Sequence, residues 1–356
     1  MRFNKELLSK FPAILMRWNR HQNTRKMPWK GEKDPYKIWL SEIILQQTRV
    51  DQGLKYFEKF VFHFPNIHQL AAAKDEKIYK LWEGLGYYSR CKNLIETARL
   101  ISKNLNGKFP QKFESILELK GVGHYTASAI ASFAYNLPHA VVDGNVFRVL
   151  SRVFGVKKPI DSADGKRLFS RLAVELLDTK QPGIYNQALM DFGAVICKPF
   201  PLCSICVFKE HCFAFNNDFV SQLPVKEKKL KIATRYFNYL VIEYNKKIYI
   251  RKRAGNDIWK SLHEFFLFET DNENRVKDIL AKVEKQKVLK KDSYKILSVS
   301  PFYIQQLSHQ KIIGRFIKIA SENQLSLPGF KLISLKQLSL YAFPRLITAY
   351  FERGHS

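Results

Sequence analysis

The chain has 356 residues and is 46% hydrophobic, enough to build two domain-sized cores, which excludes a mainly disordered protein. Its apolar runs are far shorter than the roughly 20 residues a membrane-spanning helix needs, and residues 1–20 carry Arg2, Lys5, Glu6, Lys10 and Arg17 with no continuous apolar centre, so neither a membrane span nor a secretory leader is expected. With 59 Lys and Arg against 32 Asp and Glu, the formal charge is +27, a balance that attracts polyanions and makes nucleic acid the first partner to consider, although solvated lysine faces on an ordinary basic protein give the same sum.

From residue 6 to about residue 215, stretches of helix length alternate with Gly and Pro. Residues 36–60 place Ile38, Ile44, Leu45, Leu54 and Phe57 as a packed helix would. Within them lies Glu42, in Ile38-Trp39-Leu40-Ser41-Glu42-Ile43-Ile44-Leu45, where every near neighbour except Ser41 is apolar. Folding is expected to desolvate this carboxyl and raise its pKa. The competing reading, an exposed Glu on an amphipathic helix, is weakened by that apolar company.

Leu119-Lys120-Gly121-Val122-Gly123 precedes an Ala/Ser-rich run, 127–134, that packs well only as a helix. The pattern fits a helix-hairpin-helix, whose glycines let backbone N–H groups approach a phosphate at a helix start, though an ordinary helix-helix turn has the same look. Further on, Val141-Val142-Asp143-Gly144-Asn145 puts a carboxylate just ahead of a predicted helix, a position that also suits a plain N-cap. One carboxyl kept protonated and another kept ionised is the arrangement that glycosidic cleavage requires.

Of five cysteines, Cys91 stands alone and four crowd into Cys197, Cys203, Cys206 and Cys212, with five, two and five residues between them. In a reducing compartment this is a metal-site pattern rather than a disulfide framework. The single compact wrap favours one [4Fe-4S] cluster over zinc, which usually draws close pairs from separated places; His211 is a spare ligand. A cluster that only pins this loop, with its Lys198 and Lys209, would serve a DNA-binding surface without redox turnover.

Residues 216–233 are polar, contain Pro224 and the run Lys226-Glu227-Lys228-Lys229, and read as a linker. Beyond them, 236–242 and 247–252 read as strands split by the turn Asn245-Lys246, 295–299 and 315–320 as further strands, and 273–285 as a helix. A helical domain over 1–215 followed by a smaller α+β domain over 234–356 is the expected division.

Taken together, Trp39-Leu40-Ser41-Glu42-Ile43-Ile44-Leu45-Gln46-Gln47-Thr48, Trp82-Glu83-Gly84-Leu85-Gly86-Tyr87-Tyr88, Gly121-Val122-Gly123-His124-Tyr125-Thr126-Ala127, Val142-Asp143-Gly144-Asn145-Val146 and the four cysteines resemble the MutY-type adenine DNA glycosylases of the endonuclease III superfamily. Ile258-Trp259-Lys260 and Leu307-Ser308-His309 extend the resemblance into the second domain. It implies a helix-hairpin-helix glycosylase domain with a [4Fe-4S] loop at 197–212, then a MutT-like, Nudix-like domain. It also implies that the enzyme flips adenine, mispaired with 8-oxoguanine or guanine, out of duplex DNA and hydrolyses its N-glycosidic bond in base excision repair. Glu42 would be the general acid, Asp143 the carboxylate at the sugar carbon, and Tyr125 and Asn145 their neighbours.

The resemblance further assigns Gln47, Thr48, Leu85 and Tyr87 to the duplex around the opposite base, Gly121 and Gly123 to the phosphate backbone, and Ser308 and His309 to the oxidised base. Tyr125 stands where the bifunctional endonuclease III branch carries a nucleophilic lysine, which implies a monofunctional enzyme. A lyase-active relative would need that lysine, and a catalytically silent DNA-binding module would lack Glu42 or Asp143. The sequence departs from the family pattern in a first cysteine interval one residue short, in Leu307 for the common Phe, and in Lys30 for a frequent Arg, where a phosphate contact would survive without bidentate geometry. No Nudix box follows Glu264 and Glu269, so Nudix hydrolysis is not expected. A monomer in the bacterial cytoplasm, working at the nucleoid, completes the picture.

Overall fold

The computed structural model describes residues 3–227 and 232–354. The chain forms two compact units, Met1–Ala71 with Glu96–Lys228, and Ala72–Ile95 with Lys229–Ser356. Among the described residues no helix is long and apolar enough to cross a membrane.

The first part of the chain is helical: α1 (Lys5–His21), α2 (Pro35–Leu45), α3 (Val50–His63), α4 (Ile67–Ala72), α5 (Asp75–Trp82), α6 (Tyr88–Asn104), α7 (Phe113–Leu117), α8 (His124–Tyr135), α9 (Gly144–Phe154), α10 (Ala163–Glu175), α11 (Pro182–Val195) and the short α12 (Phe213–Asn216). Local chemistry sets the boundaries. Asn4 caps α1 by accepting from the N–H groups of Glu6 and Leu7, Asp34 caps α2 ahead of Pro35 at its first position, and Gly155 ends α9 in the left-handed region at φ +68.

Val146, Val149, Leu150 and Val153 recur at helical spacing and turn one face of α9 into a core that also takes Leu7, Phe11 and Trp18 of α1 and Tyr185, Leu189 and Phe192 of α11. Phe208, from the cysteine loop, stacks on Phe11 at 4.5 Å, so this core anchors the loop as well. Residues 217–227, within the expected linker, are also tied down. Phe219, Val220 and Val225 pack on the same core, and the Val225 carbonyl accepts from the N–H of Ile160 at 3.0 Å. The apolar side chains among the polar ones decide this; residues 228–231 of that expected linker lie outside the described residues.

The second unit contains an eight-stranded sheet: β1 (Ala233–Tyr244), β2 (Lys247–Lys252), β3 (His263–Glu264), β4 (Phe266–Thr270), β5 (Tyr294–Val299), β6 (Tyr303–Gln306), β7 (Gln310–Ser321) and β8 (Phe330–Ser334). Strands β1 and β7 pair in parallel from Ala233↔Gln310 to Glu243↔Ala320, and every other pairing is antiparallel. Asn245 and Lys246, both at positive φ, make the two-residue hairpin read from the sequence.

Alternation along β1 and β7 buries both faces. Leu240, Ile242, Ile317 and Ile319 meet Ile279, Leu280 and Val283 of α13 (Val276–Lys285) on one side. On the other side Tyr239 stacks on Phe316, and Phe316 on Tyr350 of α14 (Arg345–Glu352), at 5.3 and 4.1 Å. Glu264 is buried and paired with Arg251 and Arg253, while Glu269 pairs with Arg235 at 2.6 Å. The two carboxylates flanking the Phe265–268 run are therefore held by guanidinium groups.

Small residues set the helix spacing that matters most for the site. The buried run Ala127, Ser128, Ala129, Ala131 and Ser132 lets α8 approach α11, where a side chain on Gly183 would meet the Ser132 carbonyl oxygen at 2.5 Å. Likewise a side chain on Gly193 of α11 would meet the Asn145 Cβ at 2.7 Å and the Asn145 carbonyl oxygen at 3.0 Å. Replacing Gly193 by Ala is expected to push α9 off α11 and destabilise the protein by about 1–3 kcal/mol, the usual cost of overpacking. Thermal unfolding of the variant checks this; an unchanged Tm would contradict the close approach.

Candidate active site and cysteine loop

Helix α2 is buried along almost its whole length, from Tyr36 through Ile44, and carries Glu42 at 6% exposure. The carboxyl shares a hydrogen bond with the phenol of Tyr125, in the first turn of α8, and feels the charge of Asp143. Burial pushes its pKa up to about 7, the Tyr125 hydrogen bond opposes that rise, and Asp143 adds to it. Glu42 also lines a cavity of about 180 Å³ with Asn19, Trp29, Lys30, Phe133 and Gln187.

Asp143 sits at the N-cap of α9, where its carboxylate accepts from the Val146 N–H at 2.7 Å and from the Asn145 amide at 2.7 Å. Burial raises its pKa too, against these hydrogen bonds and the positive charge of Arg148. The two carboxyls thus differ in support. Glu42 has one neutral partner in apolar surroundings, so its protonated form is favoured; Asp143 has amide donors and a nearby cation, which support its anion against the burial that raises its pKa. The N-cap reading and the catalytic reading of Asp143 describe the same contacts.

Arg148 connects this corner to the cysteine loop. Its guanidinium donates to Asn145 Oδ1 at 2.9 Å, the Gly193 carbonyl at 2.7 Å and the Cys197 carbonyl at 2.7 Å. One turn later Arg152 is buried, donates to the carbonyls of Lys198, Pro199 and Leu223 at 2.8, 3.1 and 3.0 Å, and lies 3.7 Å from Cys197 Sγ. All four cysteines of the loop are unpaired and face one small apolar recess with Arg152, Phe192, Leu202 and Val220. His211 is exposed and does not line it. Among the described residues no three His, Cys, Asp or Glu side chains converge on a point that one metal ion would occupy.

The remaining expected residues are placed as follows. Gln47, at φ +55 and exposed, and Thr48, half-buried, form the turn that ends α2. Gly121, at φ +80, makes the bend between α7 and α8, and Gly123 is the N-cap of α8, exposed and with nothing within 4 Å of the position a Cβ would take. Tyr87, at 41% exposure, is covered on one side by the Arg90 guanidinium, 5.3 Å from its ring centre. Leu85, assigned with Tyr87 to the duplex, is buried at 5% exposure. Gly84 and Gly86, at φ +90 and +78, bend the chain so sharply that the apolar side chain between them turns inward. Ser308 and His309 form the β6–β7 turn, exposed and 3.2 Å apart. They line a cavity of about 550 Å³ with Tyr87, Tyr88, Trp259 and Arg345.

Lys30 departs from its expected phosphate contact: its Nζ pairs with the fully buried Asp191 at 2.9 Å and donates to the Arg25 carbonyl at 3.1 Å. Asp191, Arg148, Arg152 and Gly193 escaped sequence reasoning. Asp191, flanked by Leu189, Met190 and Phe192, carries the signal that marked Glu42, a lone acid in apolar company.

The buried carboxyl has a thermodynamic consequence. Glu42 titrates near 4.5 when unfolded and near 7 when folded, so the native state is favoured below 4.5 and loses that advantage as pH rises through 7. The displacement corresponds to about 3 kcal/mol. Glu42→Gln is expected to exceed the parent in stability by up to this amount at pH 8 and to match it at pH 4. Denaturant unfolding at the two pH values checks the slope; parallel curves would mean that Glu42 is not desolvated.

Comparison with known proteins follows the same lines. Residues 40–173 match the HhH-GPD superfamily base excision DNA repair protein family. The adenine DNA glycosylase of Buchnera aphidicola subsp. Baizongia pistaciae is 35% identical over 303 residues, covering 83% of this chain and 86% of that protein. That of Mus musculus is 39% identical over 215 residues, covering 58% of this chain and 42% of that one. Among solved structures, a thermostable thymine-DNA glycosylase matches with TM-score 0.54 and 30% identity, covering 59% of this chain and 97% of that one. A trapped endonuclease III–DNA covalent intermediate matches with TM-score 0.51 and 18% identity over 60% of this chain and 98% of that one, a likeness of fold. The chain is a DNA glycosylase of base excision repair and belongs to the adenine DNA glycosylase family of the HhH-GPD superfamily.

Proposed function

We propose that this enzyme hydrolyses the N-glycosidic bond of adenine mispaired with 8-oxoguanine or guanine in double-stranded DNA, without cleaving the strand. The observation that carries the reading is the pair of unequal carboxyls around Tyr125: Glu42, its pKa pushed up to about 7 by burial, and Asp143, which accepts hydrogen bonds from the Asn145 amide and the start of α9.

A base flipped into the Glu42 cavity would receive a proton on a ring nitrogen from Glu42, which weakens its bond to the sugar. Asp143 would then face the developing cation at the anomeric carbon, and water would complete hydrolysis. Tyr125 and Asn145 keep the two carboxyls oriented. Tyr125 offers a phenol where a lyase needs an amine, and the two amines lining the cavity are engaged elsewhere, Lys30 with Asp191 and Lys33 with the Phe133 carbonyl. This supports monofunctional chemistry.

The hairpin supports a grip on phosphate: Gly123 starts α8 with no side-chain cap, leaving first-turn N–H groups for an anion, and its lack of a Cβ allows the strand to approach. Gln47, Thr48 and the exposed Tyr87 are assigned to the duplex beside the extruded base. Ser308 and His309, presented by the β6–β7 turn into a cavity large enough for a base, are assigned to the 8-oxoguanine face, and the sheet unit is read as a MutT-like recognition domain. Leu85 enters this surface only if its loop opens, since its side chain is covered.

For the cysteine loop the reading is a [4Fe-4S] cluster on Cys197, Cys203, Cys206 and Cys212. Four thiols facing one apolar recess support that reading, since they would enclose a single compact centre. Bound there, the cluster would cross-link the loop, and Arg152 would offset thiolate charge.

The enzyme is expected to release adenine from duplexes carrying A opposite 8-oxoguanine or G, and to leave strands intact until alkali is added. The single-turnover rate should fall as pH rises through about 7, where Glu42 loses its proton. Glu42→Gln should lower the rate at least about a hundredfold, the scale of general acid catalysis. Strand scission without alkali, or a Glu42→Gln variant of full activity, would sink the assignment. Purified protein should be brown and hold about four iron atoms per chain; a colourless protein with one zinc would replace the cluster in this reading.

A further inference from the structure

Asp191 lies on α11 at 0% exposure, and its oxygens take four hydrogen bonds. Oδ1 accepts from Arg25 Nη1 and Gln187 Nε2, and Oδ2 accepts from Asn23 Nδ2 and Lys30 Nζ, each at 2.9 Å. An ionised carboxylate can only accept. The amide of Gln187 therefore cannot be turned round; its nitrogen must face Asp191 and its carbonyl oxygen must point elsewhere. Gln187 lines the Glu42 cavity, and among the described residues no group donates to its Oε1.

We propose that Asp191 is a positioning residue for base discrimination: by claiming the Gln187 N–H it fixes the Gln187 carbonyl oxygen as an acceptor on the cavity wall, which selects a purine bearing an exocyclic amino donor over one bearing an oxo group. The inference rests on the adenine reading above and adds the device that enforces it. A 6-amino group can donate to this oxygen. A 6-oxo group would set oxygen against oxygen, and a site built around one hydrogen bond rejects the analogue that cannot make it. Arg25 and Lys30 balance the buried charge of Asp191.

The test uses the full-length protein and duplexes carrying adenine or hypoxanthine opposite 8-oxoguanine, with kcat/KM measured for each. Asn at position 191 can donate as well as accept, so Gln187 is released to present either end. In Asp191→Asn the adenine-to-hypoxanthine ratio should fall by roughly tenfold or more relative to the parent, the scale of one lost hydrogen bond. A merely structural role would lower both rates together and leave the ratio alone. If Asp191→Asn shows no cooperative thermal transition, Gln187→Leu, which keeps the bulk and removes the acceptor, reads the same ratio. A folded variant of either kind with the parental ratio overturns the inference. A parent protein that releases neither base overturns the adenine reading itself, and the inference with it.

Discussion

The chemistry of this protein depends on a carboxyl group kept out of water. Glu42 has a phenol for a partner and a second carboxylate nearby, and its own helix surrounds it with apolar residues. In bulk water it would be ionised at neutral pH and of no use as a proton donor. Desolvation reverses that, and the same desolvation is a cost to the fold that the remainder of the helical unit must offset. The large core built by α1, α9, α10 and α11 supplies the compensating burial.

Asp143 shows the opposite strategy within the same site. Its anion is supported by the N-terminus of α9 and by Asn145, and Asn145 is itself braced by Arg148. Because Arg148 and Arg152 lie one turn apart on α9, one guanidinium reaches the carboxylate corner and the next reaches the cysteine loop. Whatever holds that loop therefore also bears on the orientation of Asn145. The tight contact of Gly193 with Asn145 makes the arrangement rigid, since no side chain can be inserted between α9 and α11.

The sheet unit uses charge differently. Its carboxylates Asp257, Glu264 and Glu269 are engaged by Arg235, Arg251 and Arg253 rather than left to gather a cation. Asp257 belongs to the segment that, with the β6–β7 turn, lines the larger cavity, so its pairs with Arg235 and Arg253 steady the wall of a recess whose exposed positions include Ser308, His309 and Tyr87.

Much of this was legible in the sequence. Apolar residues around Glu42, the glycines at 121 and 123, the cysteine spacing and the Asn245-Lys246 turn are local patterns, and local sterics and solvation act on them in the same way in any fold. The strands and helix read in residues 236–320 recur with boundaries shifted by a few residues. The short strands β3, β4, β6 and β8 and helix α14 went unread, because segments of two to five residues, or eight in the case of α14, carry too little periodicity to stand out. What only the tertiary structure decided were meetings across long separations: Glu42 with Tyr125, Arg148 with the Cys197 carbonyl, Lys30 and Gln187 with Asp191, and the inward turn of Leu85. Side chains declare their chemistry in the sequence, but a hydrogen bond or a buried charge needs a partner, and only packing chooses which one arrives.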